Sequence, residues 1–281
     1  MPYTYKAMKI ADIVKEVVNK TPDGVILSFD DFGVDPENQQ ALVMSLSRMV
    51  KNGELEKISK GKYYKPKKSI FGLLGPSQNE IAKDFLVKGG KTVGYITETS
   101  AFASMGLTTQ ISSALLIGTA KYRRPVKRGE TIISFIVQAN PITESNIPLL
   151  RILDAIKLIR EIPATTPDEV VKQIIIIISN LSIDDLARLT SLSETYTSYV
   201  RAVLGAILEY LSSDMNVIAK VRRTLNGTTN YRLPISEYAL PTKRNWNIIC
   251  DYTKTRNYSR KQFRPLPEVS LKGGLELRTS S

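Results

Sequence analysis

Between Asp35 and Pro66 the chain reads "DPENQQALVMSLSRMVKNGELEKISKGKYYKP", a helix signature followed directly by a lysine-rich hairpin signature. No other stretch narrows the fold as much. Asp35 is a helix cap, Pro36 takes the first helical position, and Glu37 suits the positive end of the helix dipole. Asn52-Gly53 ends the helix. Leu42, Leu46, Met49 and Val50 recur on one face as a core stripe, which turns Gln40, Met44, Ser47, Arg48 and Lys51 outward. Leu55 to Ser59 and Lys62 to Lys65 can pair across Lys60-Gly61, where Gly61 supplies the positive φ of a tight turn.

Upstream, "IADIVKEVVNK" places Ile10, Ile13, Val14 and Val17 at helical spacing, and "TPDG" stops it. "VILSFDDFG" predicts a short strand and a one-turn helix, with Ser28 and Asp31 in the capping-box positions. Helix, short helix, longer helix and basic hairpin is the order of a winged helix-turn-helix. In that architecture the third helix enters the major groove and the hairpin lies along the backbone or minor groove. Residues 1–66 then form a DNA-binding unit for duplex DNA. Lys57, Lys60, Lys62, Lys65, Lys67 and Lys68 are set to neutralise phosphates, and Tyr63 offers an apolar body with a hydroxyl tip. A winged helix that docks protein is the competing reading, because Arg48 and Lys51 are the only cations on the helix face.

The chain has 281 residues, enough for two domains, and 39 Lys and Arg against 27 Asp and Glu give a net charge of +12. That excess favours a polyanionic partner. A membrane is not expected: the most apolar run, Ile174 to Ile178, falls far short of the ~20 residues a span needs. The start "MPYTYKAMKIADIV" lacks a secretory signal's apolar core. With Cys250 the single cysteine and no histidine, a cytoplasmic location is expected. Nucleophilic triads and most transition-metal sites are excluded, so no catalytic residue, metal or cofactor is expected.

Residues 67–78, rich in Lys, Pro and Gly, read as a linker, and 79–250 as a larger mixed α/β domain with a helical C-terminal part, giving an α+β fold. A helix from Asn79 to Lys88 leads to the strand "KTVGYIT". Thr97 is placed to cap "ETSAFASM", which Gly106 ends before the strand "SALLIGTA". "KYRRPVKRGE" carries five cations in eight residues ahead of "TIISFIVQA". Strand, helix and strand predict a parallel βαβ unit. Helices are predicted at 148–161, 167–180, 183–190 and 194–212. A hairpin pivoting on Asn226-Gly227 follows, so the end of the domain could form a second winged-helix-like unit. Residues 251–281 read as a basic, partly flexible tail.

The remaining chemical motifs are weak. "GGKT" at 89–92 has Phe85 where a phosphate loop needs glycine. Asp30-Asp31 and Asp184-Asp185 sit at helix starts, where capping explains them.

"FGLLGPSQNEI", "GYITETSAFASMGLTTQIS" and "SYVRAVLGAILE…LNGTTNYRLPI…WNI" together resemble the AbiEi-type antitoxins of bacterial type IV toxin–antitoxin systems, in a branch of unknown function. The likeness covers roughly residues 5 to 250. Gly94, Ser100, Ala101, Gly106, Leu107, Thr109 and Gln110 match its motif, with no assigned role. The resemblance implies an autorepressor that binds inverted repeats in its own promoter. It also implies an antitoxin that opposes a nucleotidyltransferase-like toxin without having to touch it. The competing expectations are a regulator with no toxin partner, a carboxylate-dependent nucleic-acid enzyme, and an RNA-binding protein, since the same lysines serve any phosphate backbone.

Overall fold

Apolar residues at helical spacing form the first helix, α1 (Ile10–Lys20), which buries Val14 and Val18 and ends where Thr21 turns extended. The computed structural model describes residues 9–253 except Phe71 and Ile111. Strand β1 (Ile26–Ser28) runs into a 3-10 turn, Phe29–Phe32, where Asp31 accepts hydrogen bonds from the Ser28 backbone N–H and hydroxyl at 2.6 and 2.7 Å. A second 3-10 turn, Pro36–Asn38, precedes α2 (Gln39–Lys51), which buries Leu42, Leu46 and Met49. Strands β2 (Glu56–Ser59) and β3 (Lys62–Tyr64) form the expected hairpin, with Gly61 at φ +71° in its turn. β1 joins it to give a sheet of order β1-β3-β2, all antiparallel. This is a winged helix with its own core: Val14, Val18, Leu27, Phe32, Leu42, Leu46, Met49, Leu55 and Tyr63.

The expected linker is not an open tether. Lys67–Ser69 (β4) and Gly72–Leu74 (β5) pair as a second small hairpin. Ser77 then caps α3 (Gln78–Leu86) through the Glu80 N–H. A short hairpin, Val87–Lys88 (β6) with Lys91–Thr92 (β7), follows.

A four-stranded sheet forms the centre of the larger unit. It comprises β8 (Gly94–Thr97), β9 (Leu115–Thr119), β10 (Val126–Arg128) and β11 (Thr131–Val137), in the order β10-β11-β9-β8. The predicted parallel pairing of β8 with β9 is incorrect: they run antiparallel, and β9 pairs in parallel with β11. The intervening helix α4 (Thr99–Ser104) has six residues, rising only ~9 Å, and the chain turns back at Gly106 (φ +73°). It therefore enters β9 at the end where it left β8. Thr97 does not cap α4 either. Glu98 holds that position at φ +62°, and the Thr97 hydroxyl donates instead to buried Asp154 at 3.0 Å.

Four helices lie close to the predicted spans: α5 (Ile147–Lys157), α6 (Pro167–Ser179), α7 (Ile183–Ser193) and α8 (Ser198–Tyr210). The hairpin predicted at Asn226-Gly227 is absent. Residues Met215–Arg223 form a further helix, α9, capped by Asp214, and bury Ile218 and Val221 one turn apart. Tyr231–Leu233 (β12) then pairs in parallel with Ile248–Cys250 (β13), across a 3-10 turn at Pro241–Trp246. The second helix-and-hairpin unit is thus not a winged helix: Val217, Ile218 and Val221 follow a helical rather than an alternating pattern. These helices enclose the largest apolar core. Of the expected basic tail, 254–281 lie outside the described residues.

The wing is shared by both units. One face of the hairpin completes the winged-helix core through Tyr63. The other places Ile58 and Tyr64 in a third cluster with Ile81, Phe85, Ile96, Leu115, Ile117 and Ile133 of the larger unit. The Gly129 N–H donates to the Ile58 carbonyl at 2.8 Å. Beside it, Arg128 makes a two-pronged contact to Asp84 at 2.5 and 2.7 Å and also donates to the Ile81 carbonyl at 2.5 Å.

Candidate nucleic-acid interface

The α2 stripe has consequences on its opposite face. Because Leu42, Leu46 and Met49 point into the core, Gln40, Met44, Ser47, Arg48 and Lys51 are all exposed. Met44 is 52% exposed, high for an apolar side chain, and offers a contact for a base methyl group. Among the described residues, Arg48 and Lys51 make no ion pair. The set combines one carboxamide, one hydroxyl, one thioether and two cations, a mixture able to meet both base edges and phosphates.

On the wing the expected residues divide. Lys57 and Lys60 are exposed, as are Lys67 and Lys68 on β4. Lys62 and Lys65 are not free to serve a phosphate in the same way. The Lys62 amine lies 3.5 Å from Asp84, and the Lys65 amine lies 2.9 Å from Asp23. Tyr63 is a plain correction: it is 3% exposed, with its ring tilted against Phe29 at 6.3 Å between centroids. β3 is the central strand, so one side of each of its residues meets a core. Burial raises the pKa of the Tyr63 hydroxyl. Tyr64 is also buried. Its hydroxyl donates to Glu56, and its pKa is pushed up to about 12 by burial and then by that hydrogen bond and charge.

The basic stretch 121–128 is likewise split. Lys121, Arg123, Arg124 and Lys127 are exposed beside a 73% exposed Tyr122, whereas Arg128 is buried against Asp84 and over the Phe85 ring. Burial works against ionisation of Asp84. The hydrogen bonds and charge of Arg128, with Lys62 behind, overcome it and hold the Asp84 pKa below the usual aspartate value.

The motif residues have structural explanations in part. A Cβ on Gly94 would lie 2.3 Å from the Phe85 carbonyl oxygen, so the strand approaches α3 too closely for a side chain. Gly106 supplies a left-handed turn. Ala101 and Leu107 are buried, and Thr109 and Gln110 are exposed. Ser100 is half-buried and lines a cavity with Ala101 and Arg151.

One group of polar residues was not anticipated. Asp154, inside the apolar run of α5, is 1% exposed and accepts from Tyr95 at 2.6 Å, Tyr196 at 2.8 Å and Thr97 at 3.0 Å. Gln138 donates to both tyrosine hydroxyls and accepts from the Asn140 N–H. Asn140 donates in turn to the Leu192 carbonyl and Thr195. Burial raises the Asp154 pKa against the pull of its three hydroxyl partners. An acid within "LLRILDAIK" is the signal that marks it. With every member satisfied, the network ties the sheet to the helices. Among the described residues, no three acidic, cysteine or histidine side chains gather to hold a metal ion.

A winged helix fused through its wing to a larger α+β unit, with an exposed third helix, is the class of molecule these features define. The chain belongs to a family of unknown function, DUF6088, whose model matches residues 13–186. Among solved structures it is similar to the RV2827C protein of Mycobacterium tuberculosis, at 12% identity and a TM-score of 0.49, over 90% of this chain and 94% of that one. That likeness is too distant to carry a functional argument. No curated protein matches the chain. No described helix is long and apolar enough to cross a membrane.

Proposed function

We propose that the protein is a duplex-DNA-binding autorepressor and the antitoxin of a type IV toxin–antitoxin pair. The observation that supports DNA binding best is the outward face of α2, where Gln40, Met44, Ser47, Arg48 and Lys51 are exposed and the two cations have no carboxylate partner among the described residues. In this reading α2 enters the major groove of an operator with inverted repeats, and Lys57, Lys60, Lys67 and Lys68 meet phosphates. The antitoxin half rests on the resemblance of "GYITETSAFASMGLTTQIS" and "SYVRAVLGAILE" to AbiEi-type antitoxins. The toxin it opposes would be a nucleotidyltransferase-like protein encoded next to it.

Two assays on the full chain test the halves separately. A reporter driven by the gene's own promoter should be repressed by the wild type and released by Arg48→Ala. Co-expression with the neighbouring gene product should restore growth for both proteins. Failure of repression with growth rescue intact would reject the DNA half alone, and the reverse result would reject the antitoxin half alone.

A further inference from the structure

The cavity framed by the motif segment has a chemical character that the winged helix does not explain. It measures about 390 Å³ and lies where the start of α3, the end of β8, α4 and α5 meet. Its polar lining is Ser77, Gln78, Asn79, Ser100, Ser104 and Arg151, with Ile96 and Ala101 as apolar wall. Arg151 is the one charged side chain among them, and no carboxylate lines the cavity among the described residues.

Arg151 is held in a fixed pose. Its Nε donates to the Ile96 carbonyl at 3.0 Å, which sets the plane of the guanidinium. Its two terminal nitrogens have no hydrogen-bond acceptor, and the residue makes no ion pair, among the described residues. Burial lowers the Arg151 pKa, with Tyr95 and Asp154 acting in the other direction. Asp154, one turn further along α5, accepts from Tyr95, Thr97 and Tyr196 and makes neither a hydrogen bond nor an ion pair with Arg151, so it acts on the guanidinium only through its charge. A half-buried guanidinium with no carboxylate in contact leaves its terminal donors unmet, and a bidentate oxyanion is the ligand its fork fits.

The neutral groups around it suit the same ligand. Ser77 accepts from the Glu80 N–H, which leaves its own O–H to donate. Ser100 lies on the same face of α4 as Ser104, whose hydroxyl already donates to the Ala101 carbonyl at 2.7 Å, so Ser100 is the α4 hydroxyl left to meet a ligand. The volume exceeds that of a bare inorganic anion and falls in the range of small-molecule sites. We infer that this cavity binds a phosphate monoester, with the phosphate on the terminal nitrogens of Arg151 and the hydroxyls of Ser77 and Ser100, and the organic part against Ile96 and Ala101. The motif segment carrying Ser100 and Ala101 would then be a ligand wall as well as a structural turn.

Isothermal titration calorimetry on the full chain tests this, with glycerol 3-phosphate, a 5′-phosphorylated trinucleotide and the same trinucleotide without its phosphate as probes. At least one phosphorylated probe should bind saturably, and the unphosphorylated one should not. Binding of glycerol 3-phosphate identifies the source as a free metabolite, and binding of the phosphorylated trinucleotide alone identifies a nucleic-acid end. Arg151→Gln should weaken the affinity at least tenfold, and Arg151→Lys should weaken it less. Lys57→Ala/Lys60→Ala, which alters only the wing, should leave it unchanged, so a failure here is distinct from failure of the DNA reading. Ser100→Val narrows the cavity with Arg151 intact and should also weaken binding, which keeps the test decisive if Arg151→Gln does not fold. Absence of saturable phosphate binding, or equal affinity in Ser100→Val and wild type, would overturn the assignment.

Discussion

Replacing Asp84 by Ala should loosen the whole molecule, not one unit of it. Arg128 has an 8% exposed side chain, and the substitution leaves its charge with the Ile81 carbonyl and the Phe85 ring as remaining contacts. Removing one partner of a buried pair costs about 3–5 kcal/mol. The Asp84 side chain is itself 45% exposed, so water offsets part of the loss, and about 2–3 kcal/mol is expected. For a chain of this size that corresponds to a fall in Tm of roughly 3–5 °C. Because Ile58 and Tyr64 of the wing share a cluster with Phe85 and Ile117, wild type and variant should each unfold in one transition. Differential scanning calorimetry measures both quantities. Glu16→Ala, which breaks the exposed pair with Lys20, serves as a control and should change stability by less than about 0.5 kcal/mol. Two separated transitions, only one of which moves in Asp84→Ala, would refute the shared-wing argument.

The same carboxylate predicts a pH dependence. Its folded pKa lies below the ordinary value, so the stabilisation is fully present above the unfolded aspartate pKa of ~3.9 and is lost as pH falls through the folded value. The stability gap between wild type and Asp84→Ala should hold constant from neutral pH down to about pH 5 and close below about pH 4, as read by urea titration. Tyr63→Phe should leave both stability and DNA affinity nearly unchanged, whereas Tyr63→Ala should cost about 3–5 kcal/mol of stability in urea titration. Gly205→Ala would set a Cβ 2.2 Å from the Trp246 ring and should lower Tm by several degrees in the same calorimetry. A fragment beginning at Pro76 uncovers the apolar surface under Ile58 and Tyr64, and should elute as aggregate in size-exclusion chromatography.

The front unit was legible because local signals agree there: Ser28 with Asp31, Pro36, Asn52-Gly53 and Gly61 each mark a boundary found in the fold. What could not be read was contact between distant segments. Tyr63 and Lys62 look like wing surface until Phe29 and Asp84 are brought against them. Asp84 is 22 residues from its lysine and 44 from its arginine, with no periodicity to link them. The direction of β9 depended on where the chain turned after α4, which strand propensity does not encode. At α9 the Asn226-Gly227 turn signal competes with the helical spacing of Ile218 and Val221, and the spacing decides the local structure. Asp154 is an acid in an apolar stripe, but its partners come from β8 and the approach to α8, which no local pattern connects to it. The α2 face was read fully, since its exposure follows from the core stripe alone.

The central claim is that α2 reads DNA and the free wing lysines hold it. Fluorescence anisotropy with the gene's own promoter duplex and a scrambled duplex, over a salt series, tests both parts at once. The Lys57→Ala/Lys60→Ala double variant should flatten the slope of log K against log salt by about 2, and Lys62→Ala should barely change it. Arg48→Ala should cost about 1–3 kcal/mol on the promoter and far less on the scrambled duplex. Equal losses on both duplexes, or no salt-dependent binding by the wild type, would contradict the account.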